Sequence, residues 1–253
     1  MKRWSLWVLF FLFLTFSVST YAAPIIPGDL SSLQNVLDSH TQGGVSSVDV
    51  NTDYLDDEMD SSWRITATGG SVATIVIELA AYANLNEFGV YDPYDPTKKV
   101  TIFTGSEGEG AMATLSILLD GSVVLNTVDT GVNFTSFVFG YFLKTPNSDP
   151  NVYFYSDSSL NADGYDHMLA YQGKDVDYFS PDPDVYPYGL WSDQEFVLAW
   201  EDLPGNSSDG DYDDFVVMVE SVDPIPEPAT MLLVGASLLG IGFVGRRWTK
   251  RKV

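Results

Sequence analysis

Cysteine is absent from this sequence of 253 residues. Its absence excludes disulfide bonds, thiolate metal sites and cysteine nucleophiles, so an exported form must be stabilised by packing or by a bound metal ion. Basic residues are also scarce, because seven of the twelve lie near the chain ends and only five lie in between. With 35 acidic residues in the chain, the central part repels nucleic-acid phosphates and attracts cations. We therefore expect no nucleic-acid partner.

The common sequence signatures of enzymes are missing as well. There is no Gly-x-Ser-x-Gly elbow, no His-Glu-x-x-His motif, no phosphate-binding loop and no Rossmann glycine pattern. Carboxylate pairs of the kind that glycoside hydrolases use do occur, but acidic residues are so abundant that such pairs carry little information. We predict that the protein is not an enzyme, and a glycoside hydrolase stays as an alternative.

The N-terminus has the organisation of a secretory signal peptide over residues 1–22. Lys2 and Arg3 precede an apolar stretch at 6–16, and small residues follow where signal peptidase acts. That stretch is shorter than the ~20 residues that a membrane span needs. We therefore expect cleavage by signal peptidase.

The middle of the chain predicts an all-β domain over residues 47–222. About ten short β-prone runs alternate with turn signals, and none has a sustained helical period. Asp120-Gly121 predicts a type I′ hairpin. This pattern is typical of an antiparallel β-sandwich of the jelly-roll kind. Before it, residues 23–46 form an N-terminal extension in which 29–37 could make one or two helical turns.

The most informative pattern is a hairpin in which two apolar runs, 196–200 and 215–219, flank a turn-rich loop that carries six acidic residues. The second run predicts a strand that is buried on both faces. Carboxylates crowded at the mouth of one hairpin repel each other unless a cation lies among them. Hard oxygen ligands in this number suit Ca²⁺ better than Zn²⁺. The loop is not an EF-hand, because it lacks the required glycine and is followed by a strand. The alternative is a solvated acidic turn. The predicted ligands are Glu201, Asp202, Asp209, Asp211, Asp213 and Asp214.

Two other acidic stretches could also hold a cation. Residues 49–60 form one, for which a solvated acidic loop is the alternative. Residues 156–167 form the other, and its histidine could instead be a structural residue beside a strand. The candidate ligands of that second site are Asp157, Asn161, Asp163, Asp166 and His167.

A proline-rich loop at 174–191 carries four aromatic residues, Tyr178, Tyr186, Tyr188 and Trp191. Exposed aromatic rings beside acids could stack on sugar rings. They could equally cover the edge of a sheet. A carbohydrate-binding module for extracellular polysaccharide is therefore the alternative function.

The C-terminus predicts a membrane anchor in three parts: an extended linker at 223–230, an apolar helix at 231–245 and a basic tail at 246–253. The apolar residues span about 21 Å as a helix, so flanking residues must help to cross a hydrocarbon core of about 30 Å. The basic tail stays in the cytoplasm, which places the acidic domain outside the inner membrane.

This C-terminal arrangement resembles a PEP-CTERM sorting signal. The resemblance rests on Pro226-Glu227-Pro228, the apolar helix, and a basic tail that begins with Arg246 and Arg247. It implies recognition by an exosortase, cleavage near the motif, and release or transfer to the cell surface. It also implies a Gram-negative host that makes exopolysaccharide.

Roughly residues 60–222 resemble an uncharacterised exoprotein domain that often accompanies this signal. The resemblance is carried by the runs at 88–91, 139–143, 163–171 and 198–220. It implies a β-sandwich without established catalysis, and its most recognisable part is the acidic hairpin. The resemblance therefore also assigns the six hairpin acids as cation ligands. Here Trp200 stands before Glu-Asp, where phenylalanine is usual.

Overall fold

The computed structural model describes residues 24–77, 85–146 and 152–226. The predicted signal peptide, the apolar helix at 231–245 and the basic tail lie outside these residues. Within the described ranges, no helix is both long enough and apolar enough to cross a membrane.

The chain forms short strands with little helix. The helices are α1 (Ser31–His40), α2 (Asp57–Asp60) and a 3-10 helix (Ser158–Leu160). The strands are β1 (Trp63–Ile65), β2 (Ser71–Ile77), β3 (Glu87–Asp92), β4 (Asp95–Phe103), β5 (Met112–Ile117), β6 (Ser122–Leu125), β7 (Val128–Asn133), β8 (Val138–Thr145), β9 (Val152–Tyr155), β10 (Met168–Gln172), β11 (Tyr178–Phe179), β12 (Gly189–Leu190), β13 (Glu195–Trp200), β14 (Phe215–Glu220) and β15 (Val222–Pro224).

These strands form two large antiparallel sheets. The first has the order β15-β1-β8-β3-β4, with β9 also paired to β8. The second has the order β10-β13-β14-β2-β5-β6-β7, and β11 and β12 form a small separate sheet. The predicted antiparallel, all-β architecture is therefore confirmed.

The space between the two sheets is filled largely by aromatic side chains. Phe88 of the first sheet stacks on Phe215 of the second, with 5.5 Å between the ring centroids. Trp63 meets Phe196 edge to face at 4.9 Å. These fully buried rings have large apolar areas whose removal from water stabilises the sandwich.

A second core lies on the outer face of the seven-stranded sheet. Along β13, Phe196, Leu198 and Trp200 point to the core between the sheets, whereas Val197 and Ala199 point outward. Helix α1 covers that outward face with its apolar side, including Leu33 and Leu37, which are both fully buried. Because both faces are covered, β14 is buried on both sides as predicted.

One local prediction differs from the structure, and one strand was not predicted. Gly121 has φ +88°, but Asp120 does not have the positive φ that a type I′ turn requires at both central residues. Instead, the Gly121 N–H donates to Leu118 O at 2.9 Å, and the hairpin is closed by a longer turn. Strand β7 was not predicted, because its mixture of Asp, Thr and Gly gives little β signal.

Candidate metal centre

The acidic loop connects β13 to β14, which pair from Glu195↔Glu220 to Trp200↔Phe215. Tyr212 anchors this loop in the protein. Its fully buried hydroxyl donates to Asp166 O at 2.5 Å and accepts from the Ile26 N–H at 2.8 Å. Tyr212 also has φ +56°, a left-handed conformation that is uncommon for a bulky residue. The loop is thereby held in one conformation between Asp211 and Asp213.

All six predicted hairpin ligands lie in one connected cluster. It consists of three overlapping triplets, and in each triplet one carboxylate oxygen per residue lies within 4.8 Å of the other two. Glu201, Asp211 and Asp214 each belong to two triplets and so join them together. The triplets are Glu201–Asp209–Asp211, Glu201–Asp202–Asp214 and Asp211–Asp213–Asp214.

Several of these carboxylates are removed from water. Glu201 and Asp202 are 0% and 1% exposed, and Asp213 is 6% exposed. Backbone N–H groups supply part of the compensation: Leu203 and Gly210 donate to the two oxygens of Glu201 at 3.2 and 3.1 Å. Within the part of the chain that the structure describes, no basic side chain pairs with Glu201, Asp213 or Asp214. The cluster therefore concentrates negative charge with little positive charge to balance it.

The electrostatics of the cluster favour bound protons or a bound cation. Burial, reinforced by the charge of Asp214, raises the pKa of Glu201 to about 7. Burial and the charge of Asp202 raise the pKa of Asp214 to about 7. Burial and the charge of Asp213 raise the pKa of Asp211 to about 6. A cation would relieve the same repulsion that these protons relieve.

Asn86 is a member of the site that sequence reasoning missed. It is fully buried beside β3, and its Nδ2 donates to Asp202 Oδ2 at 3.0 Å. Its side-chain oxygen has no hydrogen-bond partner. The two residues are 116 positions apart, so no local pattern could have joined them. A half-turn of the amide would direct its oxygen towards Asp202, an arrangement that a bound cation, or a proton on Asp202, would make favourable.

The acidic and histidine residues of the second candidate site do not form a converging group. Among the described residues, none of Asp157, Asp163, Asp166 and His167 belongs to a set of three such ligands whose atoms lie within 4.8 Å of one another. Asp157 caps the 3-10 helix by accepting from the Ser159 N–H at 3.0 Å. Asn161 accepts from the Tyr155 N–H at 2.8 Å. Asp163 and His167 contact each other, while Asp166 is buried near α2.

His167 ties β10 to the acidic loop. The ring is fully buried against Phe154, with 3.7 Å between the ring centroids. Its Nδ1 contacts Glu201 O at 3.0 Å, and its Nε2 contacts Asp163 Oδ2 at 3.0 Å. Burial alone would raise the pKa of Asp163, but hydrogen bonds from His167 and from the Gly205 N–H hold it well below its usual value. Both ring nitrogens are therefore engaged in positioning the loop.

The aromatic loop at 174–191 covers the outer face of the seven-stranded sheet. Trp191 and Phe179 lie in the second core and are 0% and 2% exposed. Trp191 is therefore not available to stack on a sugar. The Tyr186 hydroxyl donates to Gly110 O at 3.0 Å and holds the loop down. The loop leaves an open groove of about 170 Å³. Its lining includes Phe179, Tyr186, Pro187, Leu190, Glu195 and Glu220.

Comparison with known proteins identifies two parts of the chain. Residues 224–247 match the PEP-CTERM protein-sorting motif. Residues 138–222 match a domain of unknown function, DUF4114, and this range runs from β8 to the start of β15 and includes the whole acidic hairpin. No curated protein and no solved structure matches the chain. The chain therefore carries a PEP-CTERM sorting motif, the mark of an exported exosortase substrate of Gram-negative bacteria, directly after a β-rich body that contains a DUF4114 domain.

Proposed function

We propose that this exosortase substrate is a non-enzymatic protein of the cell surface or extracellular matrix whose β-sandwich is stabilised by Ca²⁺ at the acidic hairpin. The observation that supports the ion is the set of three overlapping carboxylate triplets that the six hairpin acids form, with three of these acids at most 6% exposed. Burying that much like charge costs free energy unless protons or a cation offset it.

The donor set favours calcium over other common metals. Every candidate ligand is a carboxylate or amide oxygen, which excludes the nitrogen and sulfur ligands that zinc prefers. The nearest imidazole, that of His167, already uses both nitrogens. The loop offers more oxygens than the octahedral shell of Mg²⁺ would take from protein, whereas Ca²⁺ accepts six to eight in flexible geometry.

An ion at this position would stabilise the contact between the two sheets. Glu201 and Asp214 flank the hairpin of the seven-stranded sheet, while Asn86 precedes β3 of the other sheet. A ligand that binds only the folded state stabilises it by about 2.7 kcal/mol when its concentration is a hundred times its Kd. This contribution would substitute for the disulfide bonds that a cysteine-free exported protein cannot form.

Thermal unfolding of the purified full chain tests the proposal. We expect the melting temperature to rise when millimolar calcium replaces EDTA, and Glu201→Gln combined with Asp214→Asn to abolish that rise. The matched control, Asp184→Asn, removes an exposed acid outside the hairpin and should respond to calcium like the wild type. An equal response to calcium in the double variant and the wild type would refute the hairpin as the binding site.

The groove beneath the aromatic loop supports a second candidate function, the binding of a neutral sugar of exopolysaccharide. Its volume of about 170 Å³ suits a single pyranose ring. Tyr186 and Pro187 provide an apolar wall, and Glu195 and Glu220 face each other across β13 and β14. Such carboxylates accept hydrogen bonds from sugar hydroxyls, while the wall packs on the ring face.

Binding of the full chain to immobilised glycans tests this candidate. We expect Tyr186→Ala and Glu220→Gln to abolish binding, and Tyr178→Ala, which changes an exposed ring outside the groove lining, to preserve it. If the wild type binds no glycan, or if both groove variants bind like the wild type, the candidate is wrong. Hydrolysis of a bound glycan that is lost in Glu220→Gln would instead indicate a glycoside hydrolase.

A further inference from the structure

The end of the sandwich opposite the acidic hairpin exposes four large apolar side chains, which come from three different connections between strands. Leu119, in the turn between β5 and β6, is 99% exposed, and the other three are between 48% and 66% exposed. Single exposed apolar residues are normal on a protein surface, but a group of them marks an interaction site. We call this group the apolar end, and it consists of Tyr94, Leu118, Leu119 and Phe137.

Hydrogen bonds hold the three connections side by side. The β7–β8 connection contacts the β5–β6 turn through the Phe134 N–H, which donates to Gly121 O at 2.8 Å. It contacts the last residue of β3 through Thr135, whose N–H and hydroxyl both donate to Asp92 Oδ2 at 2.6 Å. A Cβ on Gly121 would lie 2.0 Å from Phe134 O, so glycine permits this close approach. The four apolar side chains therefore belong to one continuous end of the molecule rather than to separate loops.

The apolar end lies far from the candidate calcium site. Strand β14 begins beside the hairpin loop with Phe215 and ends with Glu220, which pairs with Val72 of β2. Val72 pairs in turn with Thr114 of β5, and β5 continues from there to the turn at 118–121. The length of β14, about 20 Å, therefore separates the two features. This distance exceeds the Debye length of about 8 Å at physiological salt.

Charge also distinguishes this end from the rest of the chain. The hairpin loop carries six acidic residues and no basic residue, whereas only Asp120 is charged in the three connections at 93–94, 118–121 and 134–137. Two basic residues nearby are each paired with an acid. Lys98 Nζ lies 3.7 Å from Asp92 Oδ2, and Arg64 of β1 lies 2.9 Å from Asp223. The apolar end is therefore nearly neutral in a chain whose net charge is −23.

We propose that the apolar end binds a second copy of this chain, so that two molecules join end to end. Two copies with a net charge of −23 repel each other when their acidic surfaces meet. Contact through the apolar ends brings together the surfaces with little charge and keeps the two acidic hairpins far apart. Both copies use the same residues, so the contact forms a closed pair. Removal of Leu119 and Phe137 from water drives the association.

The size of the surface predicts a weak pair. An exposed apolar patch of a few hundred Å² is smaller than the area of about 800 Å² that each partner of a stable complex buries. We therefore expect reversible association that depends on protein concentration. Molecules held together on one surface have a high effective concentration, which favours such a pair.

Site-specific cross-linking tests the pair, because the chain has no cysteine of its own. Leu119→Cys introduces a thiol at the apolar end, and the control Val45→Cys introduces one at a 72% exposed apolar residue elsewhere. Both full chains are kept in the same detergent, so that the predicted C-terminal helix contributes equally. We expect a short bis-maleimide to give several times more dimer with Leu119→Cys than with Val45→Cys. Equal yields would refute the pair.

A second substitution shows whether the cross-link reports a specific contact. Phe137→Asp, added to Leu119→Cys, places a carboxylate of each copy in the contact and should reduce the dimer yield to that of the control. Val185→Asp adds the same charge at an exposed residue outside the apolar end and should leave the yield unchanged. A yield that Phe137→Asp does not alter would contradict the proposal. If the purified Leu119→Cys chain gives no more dimer than the control but is linked to a different protein in intact cells, the surface binds another partner and the pair is refuted.

Discussion

Replacing Glu201 with glutamine should change the stability of the protein in opposite directions without and with calcium. In EDTA at pH 8 the wild-type chain carries an ionised, fully buried Glu201 whose pKa is raised from 4.5 to about 7. One pKa unit corresponds to 1.36 kcal/mol, so the ionised group costs at most about 3 kcal/mol. Glutamine removes this cost. It also loses about 1 kcal/mol, because its NH₂ group must face one of the two N–H donors that now bind the carboxylate.

The net expectation is that Glu201→Gln is more stable than the wild type by about 2 kcal/mol in EDTA at pH 8. For a chain of this size, that difference raises the melting temperature by about 4–8 °C. Calcium at a hundred times its Kd adds about 2.7 kcal/mol to the wild type and little to the variant. The order of the two melting temperatures should therefore reverse between EDTA and calcium.

The dependence on pH has a definite sign. The pKa of Glu201 is higher in the folded state than in the unfolded chain, so folding takes up a proton between these two values and stability falls as the pH rises through this range. At pH 5 folded Glu201 is largely protonated, and the advantage of glutamine in EDTA should shrink below about 1 kcal/mol.

Calorimetric scans of the wild type, Glu201→Gln and the control Asp184→Asn, each in EDTA and in calcium, measure all of these quantities. The control should follow the wild type in both buffers. If Glu201→Gln were less stable than the wild type in EDTA at pH 8 by the same amount as in calcium, the glutamate would be an ordinary hydrogen-bonding residue. The reasoning from buried like charge would then be wrong.

Three further predictions concern other parts of the molecule. Asp163→Asn should lower the free energy of unfolding by about 2 kcal/mol at pH 7, because the buried His167 ring loses its carboxylate partner. In urea titrations the difference between variant and wild type should fade below about pH 4. There the wild type begins to lose the stability that the depressed pKa of Asp163 contributes. Gly28→Ala places a Cβ 2.1 Å from a carbonyl oxygen of the acidic loop, so it should lower the free energy of unfolding by about 1–3 kcal/mol and weaken calcium binding. The control Gly108→Ala has no atom within 4 Å of its new Cβ and should change neither quantity. Glu227→Ala alters the sorting motif, so mass spectrometry of the protein from cells should find the C-terminal segment retained, whereas the wild-type protein should lack it.

Features with a strong local signal could be predicted from the sequence. Strand β14 covers the apolar run 215–219 as predicted, and α1 overlaps the predicted helical turns at 29–37 and buries its apolar residues. The six hairpin acids form overlapping triplets because all of them lie on the single connection between two paired strands. In each case, neighbours in sequence determine the structure.

Features that depend on distant parts of the chain could not be predicted. Strand β2 lies between β14 and β5, and β15 pairs with β1, although no local pattern indicates either neighbour. The contact of Asn86 with Asp202 depends on the packing of one sheet on the other. The pairing of Tyr54 with Tyr171 likewise requires a segment before the first strand to lie on β10. Sequence spacing contains no information about such pairs.

The pairing of the final strand with the first leaves very little free chain between the folded body and the sorting motif. Pro224 is opposite Trp63 in the sheet, and the Ile225 N–H still donates to Ser62 O at 2.7 Å. The motif match itself begins at residue 224. A protease that cleaves close to the sorting motif must therefore act next to a folded surface rather than on a long flexible linker. A flexible glycine-serine spacer inserted between Ile225 and Pro226 would lengthen that reach and keep Pro226-Glu227-Pro228 intact, and faster processing of the lengthened chain would identify access to the motif as the step that limits release.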